Sequence, residues 1–365
     1  MTAGCGRNEL YPEAIEEKER ILSGSSSILQ EISAQQGREA EMAKLKLGLY
    51  WAASCGGCDV AVLDLNERIL EVADIADIVF WPIAMDFKYH DVEAMQDGSI
   101  DVCLFNGAIR NSEQEEIARL LRAKSKTMVA FGACACFGGI PALGNFNNRS
   151  EAFERAYIEA PSNDNPNRTF PQTSTKVDEG ELELPEYFDT VLTLAQMVGV
   201  EYFVPGCPPP VDIIGKVVDA LASRKLPPVG SVIASQKTLC DECDRIKEEK
   251  RITKIYRPYE IIPDPKKCLL EQGIICMGPV TRGGCGQRCI NVNMPCRGCF
   301  GPPPGVKDQG AKMVSALASI YDVTDEEDIV RMVNEVLDPA GTFYRFSLAD
   351  STLRRKRILP VESKV

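Results

Sequence analysis

Fifteen cysteines against a single histidine, His90, constrain this 365-residue chain more than any other feature. Four of them, Cys285, Cys289, Cys296 and Cys299, fall in GGCGQRCINVNMPCRGC, a stretch punctuated by glycine and proline with no hydrophobic run to build a core. In a small secreted domain such a density would read as a disulfide framework. This chain is large and 44% hydrophobic, and it opens on an acidic, polar segment with neither a hydrophobic signal core nor a twin-arginine motif. It therefore reads as cytoplasmic, and in a reducing cytosol clustered thiols more often bind metal. Catalytic zinc, copper and non-haem iron sites usually want imidazole, which is almost absent here. All-thiolate ligation remains, as structural zinc or iron–sulfur.

Charge and hydropathy remove other classes. A net charge of -12 leaves no basic stripe to neutralise phosphates, which argues against nucleic acid. No run of eighteen apolar residues occurs, so no membrane span is expected.

The chain divides by pattern into four parts: a helical extension over 1–44, an α/β part over 45–225, a glycine-, proline- and cysteine-rich part over 226–310, and C-terminal helices with a basic tail over 311–365. The extension is either a solvated arm or a partner-docking one. From residue 45 the short apolar runs LKLGLYWAA, IVFWPIA, VCLFNGAI, TMVAFGAC and VEYFVPGC predict about five buried strands alternating with helices. A helix is predicted over 58–73 and another over 112–125, with Ser112 as N-cap. Such alternation predicts a doubly wound sheet with right-handed crossovers. The polar stretch from Gly144 to Pro185 reads as a long surface loop.

Cysteines recur where that sheet would bind a ligand. Cys55 and Cys58 (SCGGC) follow the first predicted strand, Cys134 (GACACFGG) the fourth and Cys207 (PGCPPP) the fifth. All four lie just past carboxyl ends of strands, the ligand crevice of open α/β sheets. No GxGxxG or Walker motif is present, so no nucleotide or flavin is expected. Buried cysteine also serves as a small hydrophobe, but four at one sheet edge, each beside glycine or proline, fit Cys₄ ligation of a [4Fe–4S] cubane. Cys136, two residues from Cys134, is an alternative ligand. Eight more thiols follow: Cys240, Cys243, Cys268 and Cys276, then Cys285, Cys289, Cys296 and Cys299. Spacing alone pairs them into two Cys₄ sites in several ways. The wide separation of CDEC and PCRGC favours iron–sulfur over a zinc ribbon.

Taken together, SCGGC, GACACFGGIP, VPGCPPP, CDEC, CLLEQGIICMGPVTRGGCG and PCRGCFGP resemble the small, electron-transferring subunit of [NiFe] hydrogenases. The match is nearest to the cytoplasmic F420-non-reducing (methyl-viologen-reducing) type of methanogens and their relatives, over about residues 45 to 305. The resemblance implies a flavodoxin-like domain followed by an irregular iron–sulfur domain. It implies three [4Fe–4S] clusters: proximal on Cys55, Cys58, Cys134 and Cys207, distal on Cys240, Cys243, Cys268 and Cys276, and medial on Cys285, Cys289, Cys296 and Cys299. Two departures from the periplasmic pattern stand out: Cys240 replaces a histidine, and Cys289 supplies a fourth thiol where that pattern has proline and a [3Fe–4S] cluster. Added thiolate charge predicts lower potentials.

The nickel-binding DPCxxC of a large subunit is absent, so the chain is expected to carry electrons for a large-subunit partner and to be inactive alone. A small [2Fe–2S] subunit linked to heterodisulfide reductase is the implied acceptor. The alternatives are an F420-reducing hydrogenase small subunit, a related quinone-reductase subunit and a zinc-bearing scaffold. His90, Trp51 and Trp81 read as structural residues, and Asp59 as a helix-start carboxylate rather than a proton carrier.

Overall fold

The structure, a computed structural model, describes residues 44–248 and 251–353. The chain forms two units, Met1–Leu45 and Lys46–Val365. The predicted arm, apart from Lys44, and the basic tail beyond Leu353 lie outside the described residues. The cysteine groups all belong to the second unit.

Five strands make the central sheet: β1 (Leu45–Trp51), β2 (Ala76–Phe80), β3 (Ile100–Asn106), β4 (Ser125–Phe131) and β5 (Tyr202–Val204), in the order β2-β1-β3-β4-β5. β1 runs parallel to β3 with Leu47 opposite Val102, β3 parallel to β4 with Val102 opposite Thr127, and β4 parallel to β5 with Val129 opposite Tyr202. Strand order reverses between β1 and β3, which opens a crevice beyond their carboxyl ends. Val102, Cys103, Leu104 and Phe105 are all buried, so β3 is covered on both faces, as its unbroken apolar run predicts. Helices α1 (Gly57–Leu63), α2 (Ile69–Ile75), α3 (Ser112–Lys124), α4 (Ala133–Phe137) and α5 (Val211–Ala222) follow the strands.

Element ends differ from the sequence reading for identifiable reasons. The helix predicted over 58–73 breaks at Asn66, whose φ of 51° is left-handed and whose side-chain amide donates to the Asp64 carbonyl at 3.0 Å. β2 stops at Phe80, just before Pro82, which has no N–H for a ladder. β3 stops at Asn106 because Gly107, at φ 97°, passes so close to β1 that a Cβ would sit 2.7 Å from the Ala52 carbonyl carbon. The N-cap of α3 is Asn111, accepting from the Gln114 amide at 2.9 Å, while the Ser112 hydroxyl accepts from the Glu186 amide at 2.9 Å. The predicted loop from 144 contains structure of its own, a helical turn Arg149–Phe153 and a hairpin Ser174–Val177 with Gly180–Glu183. Just after it, Tyr187–Leu192 pairs antiparallel with Ile109–Asn111.

Beyond residue 226 the backbone is irregular, yet a second core forms from Leu239, Ile252, Leu269, Ile274, Met277 and Val280. Two helices close over it, α6 (Gln309–Ala318) through Met313 and Leu317, and α7 (Glu326–Asn334) through Met332. Among the described residues no helix is long and apolar enough to cross a membrane.

Candidate metal centre

The sheet edge gathers the first four thiols. After β1 the chain turns at Gly56, at φ 79°, and enters α1 with Cys58 in its first turn. After β4, Gly132 (φ 88°) delivers Cys134 into α4; its amide donates to the Val204 carbonyl at 2.8 Å, and the Ala133 amide donates to Gly206 at 2.7 Å. These bonds tie the Cys134 loop to the Cys207 loop. Burial pushes the Cys58 thiol up, and the nearby charges of Cys134, Cys207, Asp59 and Cys55 push it further. Burial, Cys207 and Cys55 push Cys134 up to about 12, against a hydrogen bond from the Ile140 amide. Two glycines make room for the sulfurs. A Cβ on Gly132 would lie 2.4 Å from Cys58 Sγ, and one on Gly139 would lie 2.4 Å from Cys134 Sγ.

Cys136 is near Cys58 and Cys134 but differently engaged. Its thiol, raised by burial, donates to the Ala130 carbonyl at 3.2 Å and points weakly to that of Val204 at 3.7 Å. Cys103 is fully buried within β3, and burial pushes it up to about 12.

A second group surrounds a cavity of about 230 Å³ lined by Cys240, Cys268 and Cys276 together with Leu270, Pro279 and Ile320. Cys240 lies within the turn Leu239–Glu242 and Cys243 caps its end, and the turn's start is fixed by reciprocal bonds between Thr238 and Asp241. Burial, then Cys276, Cys268 and Cys243, pushes Cys240 up to about 12, opposed by Lys247. The Lys247 ammonium donates to the carbonyls of Cys240 (2.9 Å) and Cys243 (3.3 Å). Cys276 is pushed up to about 11 by burial, against bonds from the Gly278 and Cys296 amides.

The third group, Cys285, Cys289, Cys296 and Cys299, lines a cavity of about 380 Å³ that Cys207 also enters. Burial, then Cys285, Cys289 and Cys207, pushes Cys299 up to about 12, and the Cys207 amide opposes this by donating to the Cys299 sulfur. On the other side the Cys296 amide donates to Cys276 Sγ at 3.3 Å. The third group thus adjoins the first through the shared cavity and the second through the Cys296 amide. Among the described residues no three His, Cys, Asp or Glu side chains converge on a point that could hold one ion.

One site feature was not foreseen. Asp59 does begin α1, but it is buried, accepting from Trp81 Nε1 and Asn106 Nδ2, both at 2.9 Å, with Asn106 accepting from the Ser54 hydroxyl at 2.8 Å. Only its position directly after SCGGC hinted at a place beside the thiols. His90 is exposed, 3.3 Å from Asp91.

Known proteins share this chain's cysteine-bearing sheet. Residues 55–221 match the family model Oxidored_q6, described as the NADH ubiquinone oxidoreductase 20 Kd subunit. The F420-non-reducing hydrogenase iron-sulfur subunit of Archaeoglobus profundus is 43% identical over 318 residues, covering 86% of this chain and 98% of that protein. The chain belongs to the F420-non-reducing hydrogenase small-subunit family. The corresponding F420-non-reducing hydrogenase subunit of Methanothermobacter marburgensis is 36% identical over the same length, covering 86% of this chain and 97% of that one. A solved [NiFeSe]-hydrogenase of Dm. baculatum overlays with a TM-score of 0.45 at 20% identity, covering 72% of this chain and 96% of that chain.

For a hydrogenase small subunit, an iron–sulfur cofactor is what the donor chemistry accommodates. Crowded thiols with raised pKa values cannot all ionise unless a cation compensates them, and the glycines that clear space for sulfur do so without a side chain.

Proposed function

We propose that the chain is the electron-transfer subunit of a cytoplasmic [NiFe] hydrogenase, holding three [4Fe–4S] clusters. Cys55, Cys58, Cys134 and Cys207 would hold the proximal one, Cys285, Cys289, Cys296 and Cys299 the medial one, and Cys240, Cys243, Cys268 and Cys276 the distal one. When bound, such clusters supply one-electron relay from hydrogen oxidation at a large-subunit nickel–iron site toward an acceptor.

The observation that carries this reading is the continuity of the three thiol groups. Cys207 shares the cavity lined by Cys285, Cys289, Cys296 and Cys299, and the Cys296 amide reaches Cys276 Sγ at 3.3 Å, so the last group in sequence lies between the first two in space. A relay needs that adjacency, whereas a zinc scaffold does not. Cys58, Cys134, Cys276 and Cys296 are buried while Cys55, Cys207 and Cys289 are exposed, glycines leave room for the sulfurs, and Lys247 places positive charge beside the 240–276 group. The large-subunit partner follows from family membership. A small [2Fe–2S] subunit and a heterodisulfide reductase complex are proposed as acceptor on the resemblance to the methanogen enzymes, and all-cysteine ligation at Cys240 and Cys289 suits a low-potential acceptor.

Iron, acid-labile sulfide and zinc measured on anaerobically purified protein test the reading. Three cubanes predict about twelve iron and twelve sulfide per chain. About four iron with stoichiometric zinc would replace the relay with a single cluster on a zinc scaffold.

A further inference from the structure

Arg297 sits between two of the proposed ligands, Cys296 and Cys299, and its side chain reaches two cavities. One is the space of about 380 Å³ ringed by Cys285, Cys289, Cys296 and Cys299. The other is a small neighbour of about 30 Å³ lined by Arg257, Ile274 and Glu335. A second cation on the larger cavity, Arg288, is paired with Asp212 at 3.1 Å. Arg297 is not so compensated: among the described residues it makes no ion pair and no side-chain hydrogen bond, and its charged neighbours are two further guanidiniums, Arg345 and Arg257. The groups that favour its charge are the thiols of Cys289 and Cys276, one from each of two adjacent groups. Glu335, the one carboxylate lining the smaller cavity, is engaged by the Ile255 amide at 2.7 Å.

A half-buried cation pressed by two like charges is costly unless an anion faces it. The wall of the larger cavity carries one carboxylate, Asp64, which forms no ion pair with Arg297, so the anions left to face the guanidinium are the thiolates and what they would hold. We infer that Arg297 is a potential-setting residue, a fixed positive charge that raises the reduction potential of the cluster on Cys285, Cys289, Cys296 and Cys299 and, less strongly, that of its neighbour on Cys276. The inference rests on the three-cluster reading above. Its physics is direct: reduction adds negative charge, a nearby guanidinium in a low-dielectric setting stabilises the reduced form, and the potential rises. Arg297 thereby offsets part of the charge that the fourth thiolate, Cys289, brings to this site.

The test is an EPR-monitored redox titration of the purified complex carrying Arg297→Gln or Arg297→Lys, with iron and sulfide counted on each. Arg297→Gln should lower the medial potential so that the oxidised-to-reduced ratio at a fixed potential rises about tenfold or more, which is about 59 mV for one electron. Arg297→Lys, which keeps the charge, should stay near wild type. If Arg297→Gln fails to assemble, Arg297→Met, an uncharged side chain that fills similar space, decides by the same titration. Full iron with unmoved potentials in Arg297→Gln, or equal shifts in the Lys and Gln variants, would overturn the inference. A wild-type complex lacking about twelve iron would instead overturn the three-cluster reading on which it stands.

Discussion

Cys134 and Cys136 stand two residues apart in α4, and their surroundings separate them. Cys134 lies against Gly139 with Cys207 and Cys55 as its thiol neighbours, whereas Cys136 donates to the Ala130 carbonyl at 3.2 Å and helps seat the helix. Cys134→Ser should therefore lose about four of twelve iron, while Cys136→Ser, whose hydroxyl can keep the bond, should retain the full complement in the same assay. Equal losses would mean that the two thiols are interchangeable. Asp59→Asn should weaken the fold by about 1–3 kcal/mol in a denaturant titration, because one of its two neutral donors loses its acceptor. The thiols were visible in sequence because the side chain itself is the donor. Asp59 was not, because its partners Trp81 and Asn106 come from 22 and 47 residues away.

At the scale of elements, glycine decides whether the loops can carry sulfur. Gly132→Ala would bring a Cβ to 2.4 Å from Cys58 Sγ at a φ of 88°, and the expected outcome is loss of the sheet-edge iron. Gly199→Ala meets nothing within 4 Å and serves as the control that should bind iron normally. The hairpin over 174–183 exposes every strand residue, and its base is closed by the Leu184 amide on the Thr173 carbonyl at 3.0 Å. Replacing it by a two-residue turn should leave iron content unchanged and the melting temperature within a few degrees, as expected where little apolar surface is buried. The five strands were legible as short runs apolar on both faces. The break at Asn66, the cap at Asn111 and the strand Tyr187–Leu192 were not, because each depends on a backbone angle or a distant partner that local pattern does not encode.

For the molecule as a whole, the buried thiols make stability depend on what occupies them. An ordinary thiol titrates near 9.0, whereas Cys276 is pushed up to about 11 and Cys134, Cys240 and Cys299 to about 12. These folded-state values lie above the unfolded one, so protein stripped of metal keeps the full contribution below pH 9 and loses it as pH rises through about 11 to 12. Ligated thiolates hold no proton while unfolded thiols bind one below pH 9, so the loaded protein should gain stability from pH 7 to 9 and level off above it. Thermal melts from pH 7 to 11, with and without chelation under reducing conditions, measure the difference. Parallel profiles would mean that the thiols do not carry the metal.

The segment of residues 283–299 lies in space between groups that precede it in the chain, touching Cys207 on one side and Cys276 on the other. A ribosome therefore finishes both banks of the river before it lays the bridge. A chain cut before Gly283 would keep the two outer thiol groups and lack the one between them, so the proposed relay predicts no electron transfer across it.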